Sequence, residues 1–324
     1  MSATARAPRK AHRFDLVDIP ERFGPRELLL DEARLKAFAY AQDDYHPWHS
    51  LGSPFGGPIG HASLFANELM QIYFERYRID VHEHGGGAWL EEAHVEETLW
   101  FESPAFLGET VLLDGCFVEK YVKEGHGAVV LEGEARTGDG RLIMGHRAIE
   151  YFAMEGPAAD TARAEHQPPM RRVSREGEPG IAPADSAHAE TLPGTPIVAL
   201  QKTISFPQQL VFSTLDHPEA QRSVHTDFEI ARRAGLSAPL TQGQQLACHI
   251  CEAMARFFGS AWYTSGRVRI KFLAAVLAGE TIRIDGVVRD RALRDQLEVL
   301  DLDVWIENEA GDLVAVANAS AAVN

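Results

Sequence analysis

Cysteine is scarce in this chain of 324 residues, which has only Cys116, Cys248 and Cys251. Three cysteines are too few for a disulfide framework, so we expect a protein of a reducing, cytoplasmic compartment. Cys248 and Cys251 form a C-H-I-C sequence, whose spacing resembles that of redox or zinc sites. They lie inside an apolar helical pattern with no second ligand pair nearby, and we therefore predict that both are buried in the core.

Long apolar runs and an excess of basic residues are also missing. Without a stretch of about 18 apolar residues, no transmembrane helix is expected. The N-terminus is basic but has no apolar segment typical of a secretory signal, so we predict a frayed tail, with a transit peptide as the alternative. The net charge of −16, from 31 basic and 47 acidic residues, argues against nucleic-acid binding.

The chain contains an internal repeat. Residues 101–115 read FESPAFLGETVLLDG and residues 272–286 read FLAAVLAGETIRIDG. The offset, 272 − 101 = 171, also carries Gly108 to Gly279 and Leu142 to Leu313. A register held over about forty residues indicates a duplication of whole domains.

Both repeats show one apolar helical pattern followed by strand-like runs. The first pattern covers residues 60–79, and the second has Leu246, Ile250, Met254 and Phe257 on one face. One buried helix followed by antiparallel strands is an α+β unit, and a curved antiparallel sheet wrapped around a central helix is the hotdog arrangement. We therefore predict a tandem double hotdog.

The predicted boundaries follow from composition. They are a tail over 1–24, a first hotdog domain over 25–154, a linker over 155–197 and a second hotdog domain over 198–324. The linker is rich in Pro, Gly, Ala and charge and lacks apolar periodicity, so we predict that it is mobile and lets the two domains pair.

Acids, histidines and aromatic residues crowd into the turn before the first central helix, which reads DDYHPWH over residues 43–49. A carboxylate beside an imidazole can transfer protons to and from water near neutral pH. The N-terminus of the following helix offers backbone N–H groups that could hold a carbonyl oxygen. The alternative is that these are ordinary solvated turn residues.

This segment resembles the MaoC-like (R)-specific enoyl-CoA hydratases, whose pattern is close to G-D-x-N-P-apolar-H, followed later by apolar-x-H-G. The resemblance puts Asp44 and His49 in the catalytic places and implies that the Ala62 N–H polarises the thioester carbonyl. It also implies substrate contacts from Tyr45, His46, Gly60 and His61. Two departures are His46 in place of Asn and Ala62 in place of Gly.

The second domain resembles the same family with an altered site. His225 fits the motif histidine and Gly243 the motif glycine, but Gln242 stands where His is usual and Ala220 where the acid is usual. Asp216 is the nearest upstream aspartate. We expect this domain to hold substrate through His225, Gln242 and Gly243 without a complete acid–base pair.

Three basic residues, Arg267, Arg269 and Lys271, alternate along one predicted strand and so share a side of it. We predict that they contact the phosphates of coenzyme A. The alternative is a solvated row on an edge strand that discourages aggregation.

The resemblance implies a hydro-lyase that acts on an acyl thioester of coenzyme A or of a carrier protein, without a metal or redox cofactor. A hotdog thioesterase and a non-catalytic acyl-thioester-binding protein are the alternatives. A monomer and a homodimer both remain open, because one chain already supplies the paired domains.

Overall fold

The computed structural model describes residues 9–78, 93–156, 159–161, 168–215 and 222–323. The first unit contains, in chain order, β1 (Lys10–Ala11), β2 (Glu21–Leu29), α1 (Glu32–Gln42), α2 (Ala66–Met70), β3 (Tyr77–Arg78), β4 (His94–Phe101), β5 (Thr110–Lys123), β6 (His126–Thr137) and β7 (Leu142–Phe152).

The second unit repeats this order of elements around a longer helix. It contains β8 (Leu200–Thr203), α3 (Phe206–Thr214), α4 (Phe228–Arg233), α5 (Gly243–Phe258), α6 (Trp262–Ser265), β9 (Arg267–Phe272), β10 (Thr281–Arg294), β11 (Leu297–Asn308) and β12 (Leu313–Ala322).

One antiparallel sheet of ten strands runs through both units, in the order β2-β5-β6-β7-β4-β9-β12-β11-β10-β8. The units join where β4 pairs with β9, and Thr98 lies opposite Arg269 in that register. These two positions are themselves one repeat apart, since 269 − 98 = 171, so a pseudo-two-fold axis passes between them. The architecture confirms the predicted tandem double hotdog.

The repeated G-E-T sequence has a structural reason. The side chain of Glu109 accepts a hydrogen bond from the N–H of Phe106, and the side chain of Glu280 accepts one from the N–H of Leu277, at 2.8 and 3.0 Å. The glycine before each glutamate, Gly108 or Gly279, has a φ near +90° or +100°, which favours glycine. The motif therefore builds the turn that leads into β5 or β10.

The two central helices differ. In the second unit α5 runs for 16 residues, and the four predicted face residues are all buried, as expected. In the first unit the helix predicted over 60–79 is wrong at both ends: residues 62–65 form turns, α2 covers only Ala66–Met70, and a 3-10 turn covers Ile72–Glu75. There Tyr73 packs among Phe23, Phe117 and Phe152, a contact that sequence periodicity does not contain.

The segments outside the predicted domains are packed on the sheet. Strand β2 begins at Glu21, inside the predicted tail. The predicted mobile linker contacts both units: the Thr161 N–H donates to the Val122 carbonyl of β5 at 3.0 Å, whereas the Ser174 N–H donates to Asp303 Oδ2 of β11 at 2.9 Å and Ile197 is buried. A hydrogen bond to β11 and the burial of one apolar residue hold this segment in place, although its composition suggests mobility. Among the described residues no helix combines the length and apolarity needed to cross a membrane.

Close contact between the sheet and the 3-10 turn makes Gly115 intolerant of a side chain. A Cβ there would lie 2.6 Å from Ile72 Cγ2. We expect Gly115→Ala to lower the free energy of unfolding by about 1–3 kcal/mol, because overpacking forces the turn outward. Urea unfolding measures it, with Gly138→Ala as the control, since a Cβ at Gly138 meets nothing within 4 Å. Equal losses from both changes would contradict the close packing.

Candidate active site

The backbone around α1 positions the predicted catalytic acid. The helix begins after Asp31, whose side chain accepts a hydrogen bond from the N–H of Arg34, and ends at Gln42. Asp43 then adopts a left-handed conformation with φ of 51°, which reverses the chain. Pro47 starts a 3-10 turn that ends at His49, so the reversal and the turn bring the acid and the histidine to one side.

Asp44 and His49 lie together, both buried, as the motif predicted. Asp44 Oδ1 accepts a hydrogen bond from the N–H of His46 at 3.2 Å. Asp44 Oδ2 lies 3.7 Å from His49 Nε2 and 3.4 Å from His61 Nε2. The carboxylate thus has one oxygen fixed by the backbone and the other turned toward two imidazoles.

The tautomer of His49 follows from its partner. Its Nδ1 lies 2.9 Å from the carbonyl oxygen of Ile59, which can only accept, so Nδ1 carries the proton. In the neutral ring the lone pair is then on Nε2, on the side of Asp44. This arrangement leaves a base nitrogen and a carboxylate oxygen separated by a gap in which both can contact one water molecule.

His61 is the third member of the cluster. Its Nε2 donates to the backbone carbonyl of Asp44 at 3.1 Å, and its ring stacks on that of His49 with centroids 3.5 Å apart. Burial, helped by the neighbouring His49, lowers the pKa of His61 to about 3. His61 is therefore neutral near pH 7 and holds the acid loop through a hydrogen bond.

Asp44 is ionised near neutral pH. Burial by itself raises the pKa of this carboxyl group, but the contacts with His49 and His61 and the charge of Lys202 outweigh burial and hold the pKa well below its usual range. The group is thus a buried carboxylate that can accept a hydrogen bond from water.

The cleft around Asp44 combines residues of both units. Its lining comes from the first unit through Phe38, Gln42, Asp44, His61, Ala62 and Ser63, and from the second through Cys248, Cys251, Glu252, Ala255 and Tyr263. Cys248 and Cys251 are buried thiols, as predicted, and burial raises the pKa of each. No motif marks Glu252 or Tyr263 as site residues, because only the pairing of the units brings α5 and α6 here.

The other predicted residues of the first unit have different surroundings. Tyr45 and His46 are exposed at the surface of the loop, and the His46 ring caps the 3-10 turn. Gly60 donates its N–H to the carbonyl of Ala105 at 2.9 Å. The N–H of Ala62 lies next to the hydroxyl oxygen of Tyr263 at the cleft wall.

The second unit repeats the histidine geometry. His225 Nδ1 donates to the carbonyl of Leu240 at 2.8 Å, matching the bond from His49 to Ile59. Burial lowers the pKa of His225, the hydrogen bond to the Leu240 carbonyl opposes this shift, and no described carboxylate contributes. Gln242 is the N-cap residue of α5, directly before Gly243, and makes no side-chain capping hydrogen bond, while Asp216 and Ala220 lie outside the described residues. The described part of this site therefore lacks an acid partner.

The basic row lies on the face of the sheet opposite the core. Val268 and Ile270, between the basic residues, are buried. Arg269 donates to Glu96 at 2.7 Å, Lys271 is 3.9 Å from Glu96, and Arg267 pairs with Glu102 on the first unit. Because β9 pairs with both β4 and β12, the edge-strand alternative for this row is wrong.

Asp44, His49 and His61 have the side chains of a metal site, with ligand atoms within 4.8 Å of one another. Their geometry does not fit one. The ring centroids of His49 and His61 are 3.5 Å apart and the ring planes are inclined by 19°. The two planes therefore intersect only about 10 Å from the rings. In-plane lone pairs of both rings therefore cannot converge on an ion at the ~2 Å bond length of a metal–histidine bond.

Comparison with solved structures places the fold. A MaoC domain protein dehydratase from Chloroflexus aurantiacus superposes with a TM-score of 0.68 at 10% identity, over 99% of this chain and 98% of that one. A MaoC-like dehydratase from Phytophthora capsici gives 0.62 at 14% identity, over 94% and 96%.

A Mycobacterium tuberculosis protein described as a double hotdog gives a TM-score of 0.62 at 14% identity, over 96% of this chain and 98% of that one. Neither the family models nor the curated proteins compared with the sequence gave a match. At these identities the likeness establishes the double-hotdog fold of MaoC-like proteins.

Buried neutral His61 makes stability depend on pH. Its pKa of about 3 in the folded chain lies below the ordinary value of 6.5, so the unfolded chain binds the proton first as pH falls. The free energy of unfolding should therefore decrease as the pH is lowered below about 6.5. We expect His61→Gln to lessen this slope by up to about 1.4 kcal/mol per pH unit.

Urea unfolding between pH 7.5 and 5 measures this slope. The control is His188→Gln, because His188 is an exposed histidine of the linker. This change should leave the slope unchanged. An unchanged slope in His61→Gln would contradict the assignment of a neutral buried imidazole.

Proposed function

We propose that the protein is a hydro-lyase that hydrates an enoyl thioester or dehydrates a 3-hydroxyacyl thioester. The observation that carries the proposal is the buried pair of Asp44 Oδ2 and His49 Nε2, 3.7 Å apart, with Asp44 in the wall of the cleft that the two units share. Carboxylate and neutral imidazole are complementary acceptors for the two hydrogens of one water molecule.

The reaction adds water across the C2–C3 double bond. The water oxygen forms a bond to C3 while the Asp44–His49 pair takes one of its protons. The double-bond electrons move toward the thioester carbonyl, and the pair returns a proton to C2, so atoms and charge balance. Dehydration is the same sequence in reverse. Neither direction transfers electrons to a cofactor.

The carbonyl must be polarised as C2 gains enolate character. We assign this role to the Ala62 N–H, which lies in the cleft wall beside Asp44. The Tyr263 hydroxyl oxygen lies next to the same N–H. An incoming carbonyl oxygen takes the place of this tyrosine oxygen as the acceptor.

The acyl thioester of coenzyme A, or of a carrier protein, is the proposed substrate class. The names of the solved neighbours, MaoC-like dehydratases, support this class of reaction through the fold alone. The second unit supplies one wall of the cleft through α5 and α6, and we propose that His225, Gln242 and Gly243 hold substrate without performing chemistry. Tyr45, His46 and Gly60 are proposed to shape the entrance.

The duplicated histidines offer a matched pair of variants. We expect Asp44→Asn and His49→Gln each to lower kcat for crotonyl-CoA hydration by at least about 100-fold, the usual contribution of general acid–base groups. His225 makes the same Nδ1 hydrogen bond as His49 but has no described acid beside it. His225→Gln should therefore keep kcat within about threefold of wild type. Loss of enoyl absorbance follows the reaction.

The outcomes separate the alternatives. Equal losses from His49→Gln and His225→Gln would overturn the assignment of the chemistry to the first unit. Release of free thiol without hydration of crotonyl-CoA or of longer and aromatic enoyl-CoAs would indicate a thioesterase. Binding of acyl-CoA without either reaction would indicate a binding protein.

Phosphate binding by Arg267, Arg269 and Lys271 stays a proposal of its own. Arg267 and Lys271 keep about half of their side-chain surface exposed beside their acidic partners. We expect the double change Arg267→Ala and Lys271→Ala to raise KM for crotonyl-CoA by up to about tenfold, with no effect on crotonyl-pantetheine, which lacks the nucleotide phosphates. Arg294→Ala is the control, and an unchanged KM for crotonyl-CoA would reject phosphate binding.

A further inference from the structure

A buried lysine of the second unit contacts the catalytic loop of the first. Lys202 lies on β8, and its side chain is only 5% exposed. Its Nζ donates to the carbonyl of Asp43 at 2.7 Å and to the carbonyl of Gln42 at 3.1 Å, and it pairs with Glu252 Oε2 at 2.9 Å. Two carbonyl acceptors and one carboxylate partner therefore surround the ammonium group.

The two carbonyls belong to the end of α1, directly before Asp44. The last carbonyls of a helix carry partial negative charge and need donors, and a cation there is favourable. The left-handed residue Asp43 turns the chain at this point. Lys202 therefore fixes the backbone of the two residues that precede the proposed base.

The third partner, Glu252, is a second carboxylate in the same cleft as Asp44. Glu252 is buried, and Arg256 also contacts it, through the other oxygen, at 2.6 Å. A buried carboxylate without a cation would destabilise the ionised form of a neighbouring acid. Lys202 supplies the buried counter-charge and leaves Asp44 as the carboxylate that water can approach.

We propose that Lys202 is a positioning residue for the hydration reaction, through which the second unit sets the place and the charge state of Asp44. This inference rests on the proposed function. Lys202 does not touch substrate: it acts through the Gln42 and Asp43 carbonyls and through Glu252. Within the part of the chain that the structure describes, the charged and titratable groups around Asp44 are His46, His49 and His61 of its own segment, Lys202 of β8, Cys248, His249, Cys251 and Glu252 of α5, and Tyr263 of α6.

The test compares Lys202→Met, Glu252→Gln and the double variant. Lys202→Met should lower kcat for crotonyl-CoA at least tenfold with little change in KM. It should also move the acid limb of the kcat/KM profile to higher pH, because loss of the positive charge favours protonation of Asp44. Arg256→Met is the matched control: it removes the exposed partner of Glu252 and should leave kcat and the acid limb unchanged.

The double variant separates positioning from stability. Lys202→Met alone removes the buried cation from Glu252 and leaves only the exposed Arg256 as its partner, and this loss should lower the urea midpoint. Adding Glu252→Gln removes the buried negative charge and should restore the midpoint. The carbonyl contacts stay missing, so kcat should stay low. Recovery of both stability and kcat in the double variant would overturn the positioning role and leave a purely structural ion pair.

A measurement without turnover keeps this inference apart from the proposed function. In ¹⁵N NMR spectra of histidine-labelled protein, Lys202→Met should shift the ring signals of His49 and His61, which contact Asp44, and Arg256→Met should not. If wild type shows no hydratase activity, the proposed function fails, while these shifts still report whether Lys202 sets the geometry of Asp44. Absence of shifts would overturn the coupling.

Discussion

The antiparallel pairing of β4 with β9 determines how the two units lie relative to each other. It joins two five-stranded halves into one sheet and places them about a pseudo-two-fold axis between Thr98 and Arg269. This pairing brings α5, α6 and β8 of the second unit against the loop that carries Asp44. Either unit alone would expose half of that cleft, so the candidate site is a property of the pair.

Electrostatic balance is the second constraint on the cleft. Two carboxylates are buried within it, and each has a different kind of compensation. Glu252 has lysine and arginine partners, whereas Asp44 has a backbone donor and two imidazoles. Burial keeps His61 neutral, so the cluster does not become a simple ion pair. A carboxylate that is ionised yet not neutralised by a direct cation contact can still accept a hydrogen bond from water, as the proposed chemistry requires.

Sequence reasoning was sufficient for features that are local or repeated. The repeated G-E-T segments and the approach of His49 to Asp44 depend on spacing over a few residues. The central helix of the first unit was not predictable in this way, because an aromatic cluster formed by distant strands sets its bounds. Lys202 and Glu252 were also missed, since they reach the site only through the pairing of the units and no motif marks them.

The duplication kept the scaffold and changed its chemistry. His49 and His225 each donate Nδ1–H to a carbonyl in the strand-like segment before the central helix, and Ile59 and Leu240 make equivalent bridges to Phe106 and Leu277. Backbone support for the histidine is thus the same in both units. Among the described residues, what differs is the acid and the helix start, where Gln242 stands in place of His61. Because the bonds that support the histidine do not involve the acid, this support can be the same in a unit with an acid beside the histidine and in a unit without one.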